Sequence, residues 1–163
     1  MLAGVVSDTH NNIKNVKNII DIFNKEGVDL VIHTGDISKP QTLKLFSELN
    51  CSLIGVFGNN DRGEDGFEEI CEECGFKFQN PPYSISLQKK KIAIFHEPDS
   101  IDEYLEFHKD VDLILHGHTH RYREEIKENV IWFNPGECAG LVSGKNALGI
   151  IDLNSLKIKR ILF

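Results

Sequence analysis

What this chain lacks narrows its function before any motif is read. No uninterrupted apolar stretch approaches the roughly 20 residues that a membrane-spanning helix needs. The start, Met1-Leu2-Ala3-Gly4-Val5-Val6, runs at once into polar Ser7-Asp8-Thr9-His10, without the basic start and long apolar segment of a secretory leader. The cytoplasm is therefore the expected location. Positive charge is scarce: 18 Lys and Arg against 25 Asp and Glu give a formal net charge of -7. An extended nucleic-acid surface is usually basic, so this balance argues against one while leaving room for a nucleotide-sized substrate. Cysteine is sparse, and residues 51, 71, 74 and 138 are expected as reduced thiols rather than as a disulfide framework. Cys71-Glu72-Glu73-Cys74 matches the C-x-x-C spacing, but it falls late in a helical-looking segment, and one such pair makes no complete zinc cage. Repeats, low-complexity tracts and linkers are missing too, so the 163 residues are expected to form one domain, 1–163.

What is present alternates. Residues 2–6, 28–32 and 52–57 are short apolar runs that read as strands. Between them, Ile13, Val16, Ile19, Ile20 and Phe23 recur at helical spacing, with Asn12 placed to cap that helix and Gly27 to stop it. Pro40 opens a second helix with Leu43, Leu45, Phe46 and Leu49 on its apolar side, and Phe67, Ile70, Cys71 and Cys74 suggest a third, stopped at Gly75. This order implies a parallel sheet covered by helices. After Asn80-Pro81-Pro82 the character changes. Residues 83–87 and 91–95 read as a hairpin, residues 100–107 as a short helix, and 113–115, 121–126, 130–133, 147–153 and 156–163 as further strands of a mixed or antiparallel sheet. The fold expected is α/β: two packed mixed β-sheets flanked by helices, a four-layer αββα sandwich.

The chemistry concentrates at strand ends. Leu113-Ile114-Leu115 runs into His116-Gly117-His118-Thr119-His120, three histidines at alternate positions. Alone, the stretch reads equally as a metal-ligating cluster, imidazole being the commonest transition-metal ligand, or as a histidine-rich polar turn. Other strands decide between these. The first ends in Asp8 and His10, the second in Asp36, the third in Asn59, and the later ones in His96, His118 and His120. Parallel strands deliver their C-terminal loops to one edge, where sites form in α/β sheets. Seven oxygen or nitrogen ligands exceed what one tetrahedral ion takes and suit two ions sharing a carboxylate, a recurrent device in phosphoryl chemistry. Asp8 and Asp36 taken singly read as helix caps. His33 and His116, one step inside strand ends, are expected in the core or behind the ligands, orienting them. Asp61 is expected to brace Asn59 or its turn, and His108, beside Lys109 and Asp110, to be a solvated surface histidine.

Asp8-x-His10, Gly35-Asp36, Gly58-Asn59-x-Asp61, His96 and Gly117-His118-x-His120, in that order and each after an expected strand, resemble the calcineurin-like metallophosphoesterase superfamily, above all its small single-domain archaeal and bacterial phosphodiesterases. The resemblance extends through Asn134-Pro135-Gly136, which by it lies near the metal site. It implies that Asp8, His10 and His120 hold one metal, that Asn59, His96 and His118 hold a second, that Asp36 bridges them, and that a water or hydroxide between the ions attacks phosphorus. The ligand mixture suits manganese first, with iron, cobalt, nickel or zinc as alternatives to it, better than magnesium. The substrate implied is a small phosphodiester or nucleotide-like molecule, and exposed edge strands would permit a homodimer.

Two departures stand out. Many relatives carry a histidine after the ligating asparagine, thought to protonate the leaving group or hold the phosphate. Here Asn60 takes that catalytic position; it can hydrogen-bond a phosphate oxygen but cannot act as an acid. Modest activity, best on good leaving groups, is expected. Many relatives also have a glycine where Glu97 stands, and a carboxylate there either repels anionic substrates or points away. The rival readings are a metal-binding scaffold of the same fold, as in the eukaryotic retromer subunit, and a phosphomonoesterase. All seven ligand positions keep ligating side chains, which favours the enzyme.

Overall fold

A computed structural model describes residues 1–142 and 144–163. Strand β1 (Leu2–Val6) is followed by helix α1 (Ile13–Glu26), β2 (Leu30–His33), α2 (Pro40–Leu45), β3 (Ser52–Val56), α3 (Phe67–Cys74) and β4 (Lys77–Gln79). The second half holds β5 (Tyr83–Leu87), β6 (Lys90–Ile94), α4 (Ile101–Phe107), β7 (Leu113–Leu115), β8 (Arg123–Lys127), β9 (Val130–Asn134), β10 (Ala147–Asp152) and β11 (Lys157–Leu162). One sheet has the order β11-β10-β1-β2-β3-β4, the other β5-β6-β7-β9-β8. Strands β1 to β4 pair in parallel, as do β6, β7 and β9; β10 and β11 run antiparallel, as do β5 and β8 at the edges of the second sheet.

Period-two alternation sorts the apolar side chains into layers. In β1, Ala3 and Val5 face the second sheet while Val6 faces the helices; in β7, Leu113 and Leu115 face the first sheet while Ile114 turns the other way. The central layer joins Val5, Ile32, Ile54, Ile94, Leu115 and Phe133 across both sheets. An outer layer packs Val16, Ile19, Ile20 and Phe23 of α1 under the first sheet, and a smaller one packs Ile101 of α4 near Trp132 of the second. Burying one such side chain fully is worth about 1.5–3 kcal/mol, so the stripe on α1 ties that helix down far more strongly than helix propensity does. These are the four layers of the expected αββα sandwich.

Local signals behave as their chemistry requires. The Asn12 side chain accepts from Asn15 N–H at the start of α1, and Gly27 closes the helix at φ 66°, its N–H bonded to Phe23 O. Pro40 is the first residue of α2. Four details differ from the sequence reading. Val28 lies just past the Gly27 cap of α1, its N–H bonded to Phe23 O, so β2 begins later, at Leu30. Helix α2 tightens into a 3-10 turn over Phe46–Glu48. Strand β4 carries too little apolar pattern to be read, and pairs only with β3. Finally, β10 and β11 return to the first sheet beside β1 rather than extending the second. Among the described residues no helix is long and apolar enough to cross a membrane.

Candidate metal centre

The parallel strands of both sheets end at one edge, and their loops meet there. Asp8 and His10 follow β1, Asp36 follows β2, Asn59 follows β3, His96 follows β6, and His118 and His120 follow β7. The loops are stitched together by backbone bonds: Asp8 N–H to Gly35 O and His10 N–H to Asp36 O, both 3.0 Å, and Gly117 N–H to His96 O at 3.1 Å. They approach so closely that a Cβ at Gly58 would sit on Asp36 Oδ1, and one at Gly117 on Ser7 Oγ. Asp8, His10, Asp36, His118 and His120 all adopt positive φ, between 39° and 65°. Such conformations are costly for residues with a Cβ and cluster at functional sites.

Two groups of ligand atoms result. In the first, His10 Nε2 lies 3.1 Å from His120 Nε2, and both face Asp8 Oδ1, at 3.8 and 3.4 Å. In the second, Asn59 Oδ1 lies 3.1 Å from His96 Nε2 and 3.0 Å from His118 Nδ1. Asp36 stands between them, with Oδ2 3.6 Å from His10 Nε2 and Oδ1 3.3 Å from His96 Nε2. The outward ring nitrogens are taken: His96 Nδ1 faces Thr34 O at 2.8 Å, His120 Nδ1 faces Glu137 Oε2 at 3.0 Å, and His10 Nδ1 faces Ser38 Oγ at 3.4 Å. A neutral imidazole that donates through Nδ1 presents a lone pair at Nε2. His10 and His120 thus aim two lone pairs at each other beside a carboxylate, a donor set that a cation between them would satisfy. These atoms fit divalent metal on the chemistry of the ligands alone.

The electrostatics agree. Burial pushes the Asp8 carboxyl up, partly offset by the Ser7 hydroxyl that donates to it. Burial acts the same way on Asp36, but His96 and the two N–H groups of Asn60 outweigh it and hold Asp36 well below the usual carboxylate range. His96 would be pushed down by its burial; Asp36 reverses this and raises it.

Behind the ligands, Asp61 is buried, and its carboxylate accepts the N–H groups of Asp36, Ile37, Ser38 and Gly58 at 2.6–2.9 Å. It thereby fixes two ligand loops at once, a wider brace than the turn around Asn59. His33 is fully buried, accepting Gly35 N–H at Nδ1 and facing Thr9 Oγ1 at Nε2; burial pushes it down to about 3. His116 is likewise buried and pushed down to about 4, its Nδ1 near Gly117 O. Asn134 donates to Gly117 O at 3.0 Å and Thr119 Oγ1 at 3.2 Å, bracing the loop that carries His118 and His120.

Two residues read differently in place. Asn60 donates from its backbone to Asp36 Oδ1 at 2.9 Å and from its side chain to Asp36 Oδ2 at 2.7 Å, so its amide is engaged with the shared carboxylate. Glu97 neither lines the ligand cluster nor stands free; it pairs with Arg62 at 3.0 Å. Glu137, fully buried against His120, gave no sequence signal as a site residue, because it sits in a turn and matches no metal-ligand spacing. His108 is exposed and stacks on Tyr104, outside the cluster. The four thiols are free, and burial pushes Cys71 up to about 11. A groove of about 770 Å³ runs from Asp61 and Arg62 past Phe67 to Pro81 and is lined by none of the seven candidate ligands.

Known proteins share this chain's sequence and fold over nearly its whole length. A phosphodiesterase of Methanocaldococcus jannaschii is 32% identical over 99% of both chains. A solved archaeal phosphodiesterase superposes over the full length of both chains with a TM-score of 0.92 at 30% identity. A Vps29 structure from Entamoeba histolytica shares the fold, with a TM-score of 0.71 at 19% identity over 100% of this chain and 99% of that one. Residues 1–155 match the model of the calcineurin-like phosphoesterase superfamily domain. With the αββα layers and the clustered histidines and carboxylates already in view, that match places the chain in the calcineurin-like phosphoesterase superfamily.

Proposed function

We propose that the protein is a phosphodiesterase that works with two divalent metal ions, manganese first among them, held at the common edge of the two sheets. One observation carries this: Asp36 turns one carboxylate oxygen toward His10 and the other toward His96, so a single side chain reaches both ligand groups. Asp8, His10 and His120 would hold one ion with Asp36, and Asn59, His96 and His118 the other. Bound there, the ions would supply Lewis acidity and a hydroxide nucleophile near neutral pH.

The chain's own residues do the rest. Asp61 and the backbone bonds between loops keep the ligands preorganised, so little reorganisation is needed when the phosphate arrives. Asn59 contributes a neutral carbonyl, which limits the negative charge facing an anionic substrate. Asn60 keeps Asp36 ionised and oriented through its backbone and side-chain N–H groups, and its amide offers no acidic proton to the leaving group. Substrates with good leaving groups should therefore turn over best. The similarity to a phosphodiesterase over nearly the whole chain favours a diester substrate.

Hydrolysis of a chromogenic aryl phosphodiester, with manganese and with chelator, tests the reading beside Asp36→Asn. Manganese-dependent turnover should fall more than about 100-fold in the variant, beyond the 10- to 100-fold typical of losing a residue behind the ligands. Metal binding without turnover on any mono- or diester would replace the enzyme with the scaffold reading. Faster turnover of monoesters would assign a phosphomonoesterase.

A further inference from the structure

We propose that Glu137 is the positioning residue of the first ligand group, setting the tautomer and direction of His120 and tying the turn at residues 139–142 to the metal centre. This rests on the metal-site reading above and extends it to a residue that ligates nothing. Glu137 is fully buried, an expensive place for a carboxylate without partners. Its Oε2 lies 3.0 Å from His120 Nδ1 and accepts Leu141 N–H at 2.7 Å, while Oε1 accepts Val142 N–H at 2.8 Å.

The geometry has a direction. Leu141 N–H, Val142 N–H and the imidazole Nδ1–H converge on the carboxylate, leaving His120 Nε2 as the atom turned toward Asp8 and His10. A carboxylate behind a ligating histidine fixes its ring and raises its basicity. The segment is also anchored on both flanks. Cys138 N–H bonds to Ser7 O at 3.1 Å, next to Asp8, and Asn12 and Asn15 of the α1 entry donate to Ala139 O and Cys138 O. Glu137 thus holds His120 against a turn that is itself pinned to the loop carrying Asp8 and His10. Among the described residues the second ligand group has no such carboxylate behind it: His96 is oriented by the carbonyl of Thr34.

Calorimetric titration of manganese(II) into the metal-free protein separates the two ligand groups. The first ligand group, whose histidines are nearly buried, should give the tighter event; in Glu137→Gln that event should weaken about 10- to 100-fold, with the weaker event of the second group unchanged. In a His120→Ala background the same substitution should add no further loss. Unchanged tight binding in a folded Glu137→Gln variant, or an equal further loss without His120, would overturn the proposal and leave Glu137 as an anchor of the turn. Absence of any manganese binding by the unmodified protein would sink the metal-site reading itself, and this inference with it. If the variant does not fold, long-range proton–nitrogen NMR of the unmodified metal-free protein decides: His120 should be the Nδ1–H tautomer, and an Nε2–H tautomer would refute the assignment.

Discussion

The two ligand groups share Asp36 but are built differently. In the first, Asp8 is fully buried, the side chains of His10 and His120 are only 15% and 14% exposed, and each of the three has a partner behind it: Ser7, Ser38 and Glu137. In the second, only His96 is buried and propped from behind, by Thr34 O. Asn59 and His118 are exposed, and among the described residues their side chains bond to one another and to His96 rather than to a supporting shell. Ligands whose rotamers are locked by packing bind with little ordering cost; exposed ones must be ordered by the ion itself. On the proposed two-metal reading, the first group would therefore be a preformed site and the second would be completed on binding.

The largest expected consequence is a gap in affinity. Under chelator titration, followed by metal analysis of the protein, manganese should leave in two steps, the second group emptying first. His118→Ala should delete only the weaker step. His10→Ala should weaken the tighter one by about 100-fold or more, since losing a ligand costs more than losing its support. Loss of the tighter step in His118→Ala would reverse the comparison.

Much of this was legible from the chain, for a physical reason. Ligands after parallel strands must converge, because parallel strands end on one side of the sheet; that rule brings together Asp8, His10, Asp36 and Asn59, whereas His96, His118 and His120 joined them in the sequence only by order and family resemblance, and the fold supplies the parallel pairing of β6 and β7 that carries them to the same edge. The helix ends at Asn12, Gly27, Pro40 and Gly75 were readable because capping is local chemistry. What escaped depends on contacts distant in sequence. Glu137 meets His120 from 17 residues away, through a turn with no periodicity. Asn60 has the composition of a phosphate contact, and only the fold shows its amide spent on Asp36. The return of β10 to pair with β1, rather than with its sequence neighbours in the second sheet, is likewise a choice made by packing both faces of β1 and not by any local signal.

A smaller effect separates the buried histidine behind the site from those within it. His33 is held down at about 3, so between that value and its ordinary 6.5 the unfolded chain binds a proton that the folded protein does not. Stability contributed by this group is therefore full above pH 6.5 and is lost as pH falls through that window, by up to about 1.4 kcal/mol per pH unit. His96 has the opposite sign, because its folded value is raised: its contribution is present below 6.5 and fades as pH rises. Total stability mixes the two, so the measurement is a difference. Urea unfolding of the metal-free protein at pH 7, 6 and 5 should show a steeper acid loss in the unmodified chain than in His33→Asn, where the amide oxygen still accepts Gly35 N–H. Equal slopes would mean that His33 titrates normally in the fold.

The smallest effect tests whether the exposed group carries backbone cost for its chemistry. His118 adopts φ 65° with its side chain exposed; among the described residues that side chain meets Asn59 and the His96 ring, and the backbone N–H donates to Asp8. The left-handed conformation costs a residue with a Cβ about 1–2 kcal/mol, of which the extra flexibility of glycine in the unfolded chain returns about 0.5–1 kcal/mol. His118→Gly should therefore raise the stability of the metal-free protein by up to about 1 kcal/mol, or roughly 2–4 °C in Tm for a chain of this size, while removing the weaker manganese step. The contrast with the first group is the point of the experiment. His120→Gly relieves the same backbone conformation, at φ 57°, but it strips Glu137 of its imidazole partner inside the protein and leaves a buried carboxylate short of one donor. That variant should lose stability. A gain at His118 beside a loss at His120 would show that the two halves of the centre are held by different means, one by the ion and one by the fold.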